Sequence, residues 1–137
     1  MKVFFDSSSF AKRYIREEGS DEVDEILKKA TALGLSVLSL PEVISALSRK
    51  LRESILNREQ YALAKQALLA DTQDADIVNV TPQVVGHAIT LLEDNSVRAL
   101  DALHIGSALG WKADTFISSD KKQLEAASHS GLKTKLV

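Results

Sequence analysis

Four acidic residues stand where a negative charge is awkward, and their placement is the first sign of chemistry in this sequence. Asp6 ends the apolar run "KVFF". Glu42 follows Pro41 in "SLPEVISALSRKLR", whose Val43, Leu47 and Leu51 call for an apolar neighbourhood. Asp101 lies inside "SVRALDALHIGSALGW", and Asp120 comes just after "TFIS". Each acid alone has an ordinary explanation. An acid after a strand often caps the next helix, and one in a first turn complements the helix dipole. For Glu42 that dipole contribution is only ~0.3–1 kcal/mol. Four at compatible places suggest more. Clustered carboxylates raise one another's pKa unless cations are near. Oxygen ligands without sulfur or paired histidines suit Mg2+ or Mn2+, not zinc. Such ions serve phosphoryl transfer and phosphodiester cleavage, where they activate water and neutralise charge on the leaving oxygen.

The elements must then bring these acids together. Residues 2–5 read as a buried strand. A helix is expected over 7–16, with Phe10 and Tyr14 on one face, and Gly19 stops it. Ser20 would cap a helix over 21–32, ended by Gly34. Further strands are expected at 35–38, 77–80 and 115–117, with an edge strand at 132–137. Pro41 opens a helix to about residue 54, and Asn57 caps one over 58–70. Thr81 and Pro82 open a helix to 94, another covers 98–110, and Asp120 begins a last one that ends before Gly131. Short strands alternating with helices predict an α/β fold: a mainly parallel sheet of four or five strands with helices on both faces.

In open parallel sheets, ligands bind beyond the carboxyl ends of the strands. Asp6, Glu42 and Asp120 all fall there. Asp101 sits near the start of a helix that is apolar all round, which implies burial. A buried carboxylate without a partner costs several kcal/mol, so Asp101 needs Arg98, a backbone N–H or a cation.

With 137 residues, the chain is the size of one domain, expected to span 1–137. It is 45% hydrophobic and 26% charged, an ordinary globular balance. A net charge of −2 argues against binding nucleic acid by electrostatics alone, so any such contact needs a local site with ions to offset phosphate repulsion. There is no cysteine, which removes thiolate metal sites and fits a reducing compartment. No apolar run approaches the roughly 20 residues of a membrane span, and "MKVFFDSSS" meets an acid too early for a signal peptide. A cytoplasmic location, with no membrane partner, is the expectation.

The stretches around the four acids carry a family pattern. "FFDSSSFAKRYIREEGS" resembles the opening of PIN-domain proteins of the VapC type, with Asp6 as first acid and a hydroxyl residue, Ser8, two further on. "SLPEVISALSRK" is similar to their second motif, with Glu42; "VRALDALHIGSAL" to the third, with Asp101 and His104; and "DTFISSDKKQLEAASHSGLK" to the fourth, with Asp120. The resemblance covers the whole chain in order. It implies a three-layer α/β/α sandwich and a ribonuclease whose four acids hold Mg2+ or Mn2+ and activate a water against an RNA phosphodiester. It also implies the toxin of a toxin–antitoxin pair, a homodimer, and a small antitoxin that fills the cleft. Two departures are visible. Ser118 stands where the family commonly has Thr, and Lys122 where some members place a further acid, leaving open whether one or two ions bind.

Asp6, Glu42, Asp101 and Asp120 are therefore the expected metal-holding and catalytic residues. Ser8 and Ser118 would orient ligands or waters, or else serve as caps. His104 would be a proton donor or a hydrogen-bond anchor. Arg13 and Arg49 are the preferred RNA contacts. Trp111 and Tyr14 would stack on a base or pack in the core, and the segment 61–69 would be a dimer face or core. Three rivals are weaker. A response-regulator receiver needs an Asp after the third strand, where this chain reads "VNVT". A haloacid-dehalogenase-type phosphatase needs an Asp where Ser8 stands. A catalytically weak PIN-fold RNA-binding or scaffold protein would not require all four acids.

Overall fold

Residues alternate sides along each strand, and here both sides are apolar. In the computed structural model, which describes residues 1–137, β1 (Lys2–Phe5) points Val3 and Phe5 to one face of the sheet and Phe4 to the other. β4 (Thr115–Ser118) does the same with Ile117 and Phe116. A strand apolar on both faces must be covered on both, and two separate cores result. One holds Val3, Phe5, Leu35 and Ile117 beneath Phe10, Val23, Val43, Leu47 and Leu68. These last come from α1 (Ser7–Ala11), α2 (Ser20–Lys29), α3 (Ser39–Arg52) and α4 (Arg58–Gln73). The other packs Phe4 and Phe116 against α5 (Pro82–Asp94), α6 (Ala99–Trp111) and α7 (Lys121–His129). The expected three-layer α/β/α sandwich is the observed one.

One more inner strand and two edges complete the sheet. β2 (Ala32–Ser36), β3 (Asp76–Val78) and β5 (Lys133–Leu136) join β1 and β4 in the order β3-β2-β1-β4-β5, every neighbour parallel. The chain builds outward from β1 to β3, then returns to the other side of β1 to lay down β4 and β5. The order reverses between β1 and β4. In a parallel sheet that reversal leaves a crevice outside the carboxyl ends of the two strands, the place where ligands bind. Asp6 follows β1 there, and Asp120 follows β4.

Local signals explain most boundaries. Asn57 accepts from the Gln60 N–H at 2.8 Å while the Gln60 side chain accepts from the Asn57 N–H at 2.9 Å, a complete capping box for α4. Thr81 caps α5 through the Val84 N–H at 3.2 Å, with Pro82 in its first turn. Three expectations need correction. α1 stops at Ala11 and not at residue 16; the chain continues in tight turns such as Arg13 N–H to Phe10 C=O and Tyr14 N–H to Ala11 C=O. Gly19, with φ of +93°, occupies the cap position of α2 in place of Ser20, which lies inside the helix. Gly34 does not end α2. It sits in the middle of β2, paired with Phe4, and β2 begins three residues earlier than expected.

Gly34 is required by close packing. A Cβ there would lie 2.6 Å from Trp111 Cε3 and 2.9 Å from Phe4 Cδ2. Those rings belong to one aromatic stack: Phe4 meets Trp111 at 6.0 Å between centroids, and the Lys2 ammonium lies 4.2 Å over the indole. Phe4 is fully buried, so its ring has no room to give. Gly34→Ala is expected to destabilise the fold by ~1–3 kcal/mol through overpacking, read as a lower denaturation midpoint with unchanged slope.

Candidate active site

Asp6 takes its place because β1 delivers it to the crevice and α1 needs a cap. Its Oδ1 accepts from the Ser9 N–H at 3.0 Å and also from the Ser9 hydroxyl, while its Oδ2 faces the Ser118 hydroxyl at 3.1 Å. The residue is only 6% exposed, and no basic side chain pairs with it. Burial pushes its pKa above the usual carboxylate value; the bonds from Ser9, nearby His104 and the Ser118 bond pull it partway back.

Glu42 lies in the first turn of α3 and reaches across to α1 and α6. Its Oε1 accepts from Ser7 Oγ at 2.8 Å and from His104 Nε2 at 2.7 Å. Ser7 Oγ also lies 3.3 Å from His104 Nε2 and 3.4 Å from Ser39 Oγ, so three elements share one polar knot. The opposite ring nitrogen of His104, Nδ1, is buried without a partner, which places the proton on Nε2, donating to Glu42. The bond from His104 holds the Glu42 pKa below the ordinary carboxylate value, against a smaller opposing effect of burial.

Asp120 caps α7. Its Oδ1 accepts from the Lys122 N–H at 2.9 Å and the Gln123 N–H at 3.3 Å, and its own N–H donates to Ser118 Oγ at 2.9 Å. Asp101 sits in the first turn of α6, mostly buried, with Arg98 Nε at 3.4 Å from its Oδ2. The two carboxylates line one cleft of about 290 Å³ together with Ser96, Val97, Arg98 and Lys122.

The fold thus gathers the acids along one edge. Asp6, Ser118 and Asp120 form a continuous hydrogen-bonded string; Glu42 joins through its bond to His104; Asp101 and Asp120 line one cleft. No three of them stand close enough to share one ion as the side chains are placed. Each has turned to its nearest donor: Asp6 to Ser9, Glu42 to His104, Asp120 to its helix. Like charges have no reason to converge without a cation between them. The donor chemistry nonetheless fits a hard divalent ion. Every donor is oxygen, and Asp6 is a buried carboxylate with no cation to offset its cost.

Other sequence candidates fall differently. Ser8 is exposed and makes no hydrogen bond; its neighbours Ser7 and Ser9 do the bonding. The Asp6–Ser9 spacing of cap to third helical residue is the signal that would have found Ser9. Gln123, wholly buried beside Ser118, was also missed. Arg13 pairs within the fold, with Asp71 at 2.8 Å and Asp24 at 3.1 Å. Tyr14 donates to the same Asp71 at 2.6 Å. Trp111 packs on Phe4 and bonds Asp76 at the amino end of the sheet, the edge opposite the acids, where it cannot meet a base held at them. Arg49, by contrast, is exposed and in no ion pair, two helical turns beyond Glu42 on the same side of α3.

A three-layer α/β/α sandwich with acids beside the switch point of its parallel sheet defines the class. Within that class, the family model of the PIN domain matches residues 3–128, and the chain belongs to the PIN-domain family. Its relatives are of the VapC type. It is 31% identical over 110 residues to Ribonuclease VapC45 of Mycobacterium tuberculosis, covering 78% of this chain and 74% of that one. Among solved structures, VapBC2 from Rickettsia felis bound to a promoter DNA fragment superposes with a TM-score of 0.70 at 12% identity, covering 100% of this chain and 99% of that one. Mycobacterium tuberculosis VapC20, described as a sarcin-ricin loop cleaving toxin, gives 0.69 at 15% identity and 95% of both chains. At those identities the structural likeness carries the fold alone. No helix is long and apolar enough to cross a membrane.

Proposed function

We propose that this chain is a divalent-metal-dependent endoribonuclease, the toxin of a toxin–antitoxin pair acting in the cytoplasm. The observation that carries the reading is Asp6: a buried carboxylate at the sheet's switch point, tied through Ser118 to Asp120 and set beside the Glu42–His104 pair, with no cation of its own. The relative named a ribonuclease supports the substrate class. Solved neighbours described as toxin–antitoxin complexes support an antitoxin partner.

Asp6, Glu42, Asp101 and Asp120 hold Mg2+ or Mn2+, directly or through water. When bound, the ion activates a water and neutralises charge on the leaving oxygen. The chain's own residues prepare that site. Ser9 fixes the rotamer of Asp6, and Ser118 orients its second oxygen. His104 keeps Glu42 ionised and aimed. Ser8, free of other bonds, is available to a water or a phosphate oxygen. Arg49 contacts the RNA backbone. The exposed Leu63 and Leu69 of α4 give a homodimer an apolar face.

The test is a panel of labelled RNAs incubated with Mn2+, Mg2+ or chelator. Cleavage is expected with either ion, lost in chelator and regained on adding metal; cleavage that ignores divalent ions would overturn the proposal. In the same assay, Arg49→Gln is expected to raise KM about tenfold, the worth of a charge-assisted phosphate contact, with kcat and the melting temperature unchanged. An unchanged KM removes Arg49 from the RNA path.

A further inference from the structure

We propose that Gln123 is a positioning residue for the metal site, acting on three of its acids through one buried amide; this rests on the metal-dependent ribonuclease reading above. Gln123 is the third residue of α7, and its side chain is wholly buried. The spacing Asp120–Gln123 is that of a capping box, in which the amide returns to the N–H of the cap residue. Here that N–H is already taken, since Asp120 donates to Ser118 Oγ at 2.9 Å. Gln123 turns inward instead. Its Oε1 accepts from Ser118 Oγ at 2.8 Å, its Nε2 donates to the main-chain oxygen of Asp101 at 3.3 Å, and its own N–H donates to Asp120 Oδ1 at 3.3 Å. The carbonyl of Asp101 demands a donor, so the amide has one possible orientation, with its oxygen toward Ser118.

That orientation sets the Ser118 hydroxyl between two acceptors. A hydroxyl has one proton, and Ser118 faces two acceptors, Gln123 Oε1 at 2.8 Å and Asp6 Oδ2 at 3.1 Å. By holding the Ser118 hydroxyl from its other side, Gln123 fixes the group that orients Asp6 Oδ2. The other end of the amide holds the first turn of α6 against the first turn of α7. It thereby sets the separation of Asp101 and Asp120 across their shared cleft.

Mn2+ affinity of the full chain, measured by isothermal titration calorimetry well below each variant's melting temperature, tests this without relying on cleavage. The wild type is expected to bind Mn2+ and Asp6→Asn to lose it. Gln123→Met and Ser118→Ala are each expected to bind about 10–100-fold more weakly, the usual cost of losing a residue that orients a metal ligand. Because Gln123 acts largely through Ser118, adding Gln123→Met to Ser118→Ala should cost a smaller factor than it costs the wild type. Wild-type affinity in both single variants overturns the proposal, as do costs that simply multiply. If Gln123→Met gives no cooperative melt in chelator, Ser118→Ala decides alone, and unchanged affinity there overturns the proposal. A wild type that binds no Mn2+ sinks it together with the ribonuclease reading. A wild type that binds and cleaves, with both variants indistinguishable from it, sinks this inference only.

Discussion

Asp6→Asn is expected to lower RNA cleavage at least about 100-fold and, in chelator, to raise the melting temperature. The first effect follows from losing the proposed metal ligand, where even a residue that only orients a ligand costs about 10–100-fold. The second follows from burial. Asp6 has a folded-state pKa raised above the ordinary 3.8, chiefly by desolvation. An acid with a raised folded pKa binds its proton more tightly in the folded state. Its contribution is therefore full below pH 3.8, falls as pH rises from there through the raised value, and is absent at neutral pH. Asparagine removes the charge that causes this loss. It also caps a helix as well as aspartate does, so the bond from the Ser9 N–H survives. A gain of about 1–2 kcal/mol, or about 3–6 °C in Tm, is expected by calorimetry in chelator. Added Mn2+ should raise the wild-type Tm and leave the variant where it is. Retained cleavage would remove Asp6 from the metal site, and a lower Tm in chelator would refute the burial argument.

His104→Phe should act with the opposite pH sense. The ring keeps its volume but loses Nε2, the strongest partner of Glu42 at 2.7 Å. A hydrogen bond to a charged group is worth about 1.5–3 kcal/mol; with Glu42 a third exposed, the lower end applies, about 1–2 kcal/mol. Glu42 has a folded pKa below its ordinary 4.5, chiefly because of that bond. Its contribution is present above pH 4.5 and is lost as pH falls through the lower folded value. The variant should therefore be less stable than wild type at neutral pH, with the gap closing in acid below that window. Urea titrations at the two pH values read this directly. Cleavage should fall about tenfold, since Glu42 loses its aim but keeps Ser7. A stability gap constant across pH would mean that His104 serves only as core.

The two acids thus respond oppositely to acid because the fold treats them oppositely. Asp6 is buried among hydroxyls and amides, which cannot match water for a carboxylate; Glu42 is given an imidazole N–H and left partly wet. In the sequence, both were equally visible as isolated acids after apolar runs. The short strand "KVFF", the Asn57 cap, the Thr81–Pro82 start and the alternation of strands with helices were also legible, since each rests on residues within one turn of each other. Gly34 was misread for the same reason. Its local grammar is that of a helix stop, and only the Trp111 ring, 77 positions away, reveals why a side chain is excluded. Arg13 looked like a free cation until Asp24 and Asp71 arrived from two other helices.

The sequence by itself determined that four acids end or begin the right elements, because strand hydrophobicity, caps and turn residues are short-range properties of the chain. Tertiary structure alone decided which hydroxyls serve them, which cation is consumed internally, and that a glutamine from the first turn of α7 reaches both Ser118 and Asp101. Those contacts depend on strand order and helix docking, and the pairing of β1 with β4 across more than 100 residues is written in no local pattern. A buried polar group must find its partner wherever packing has brought one, and packing is a property of the whole chain.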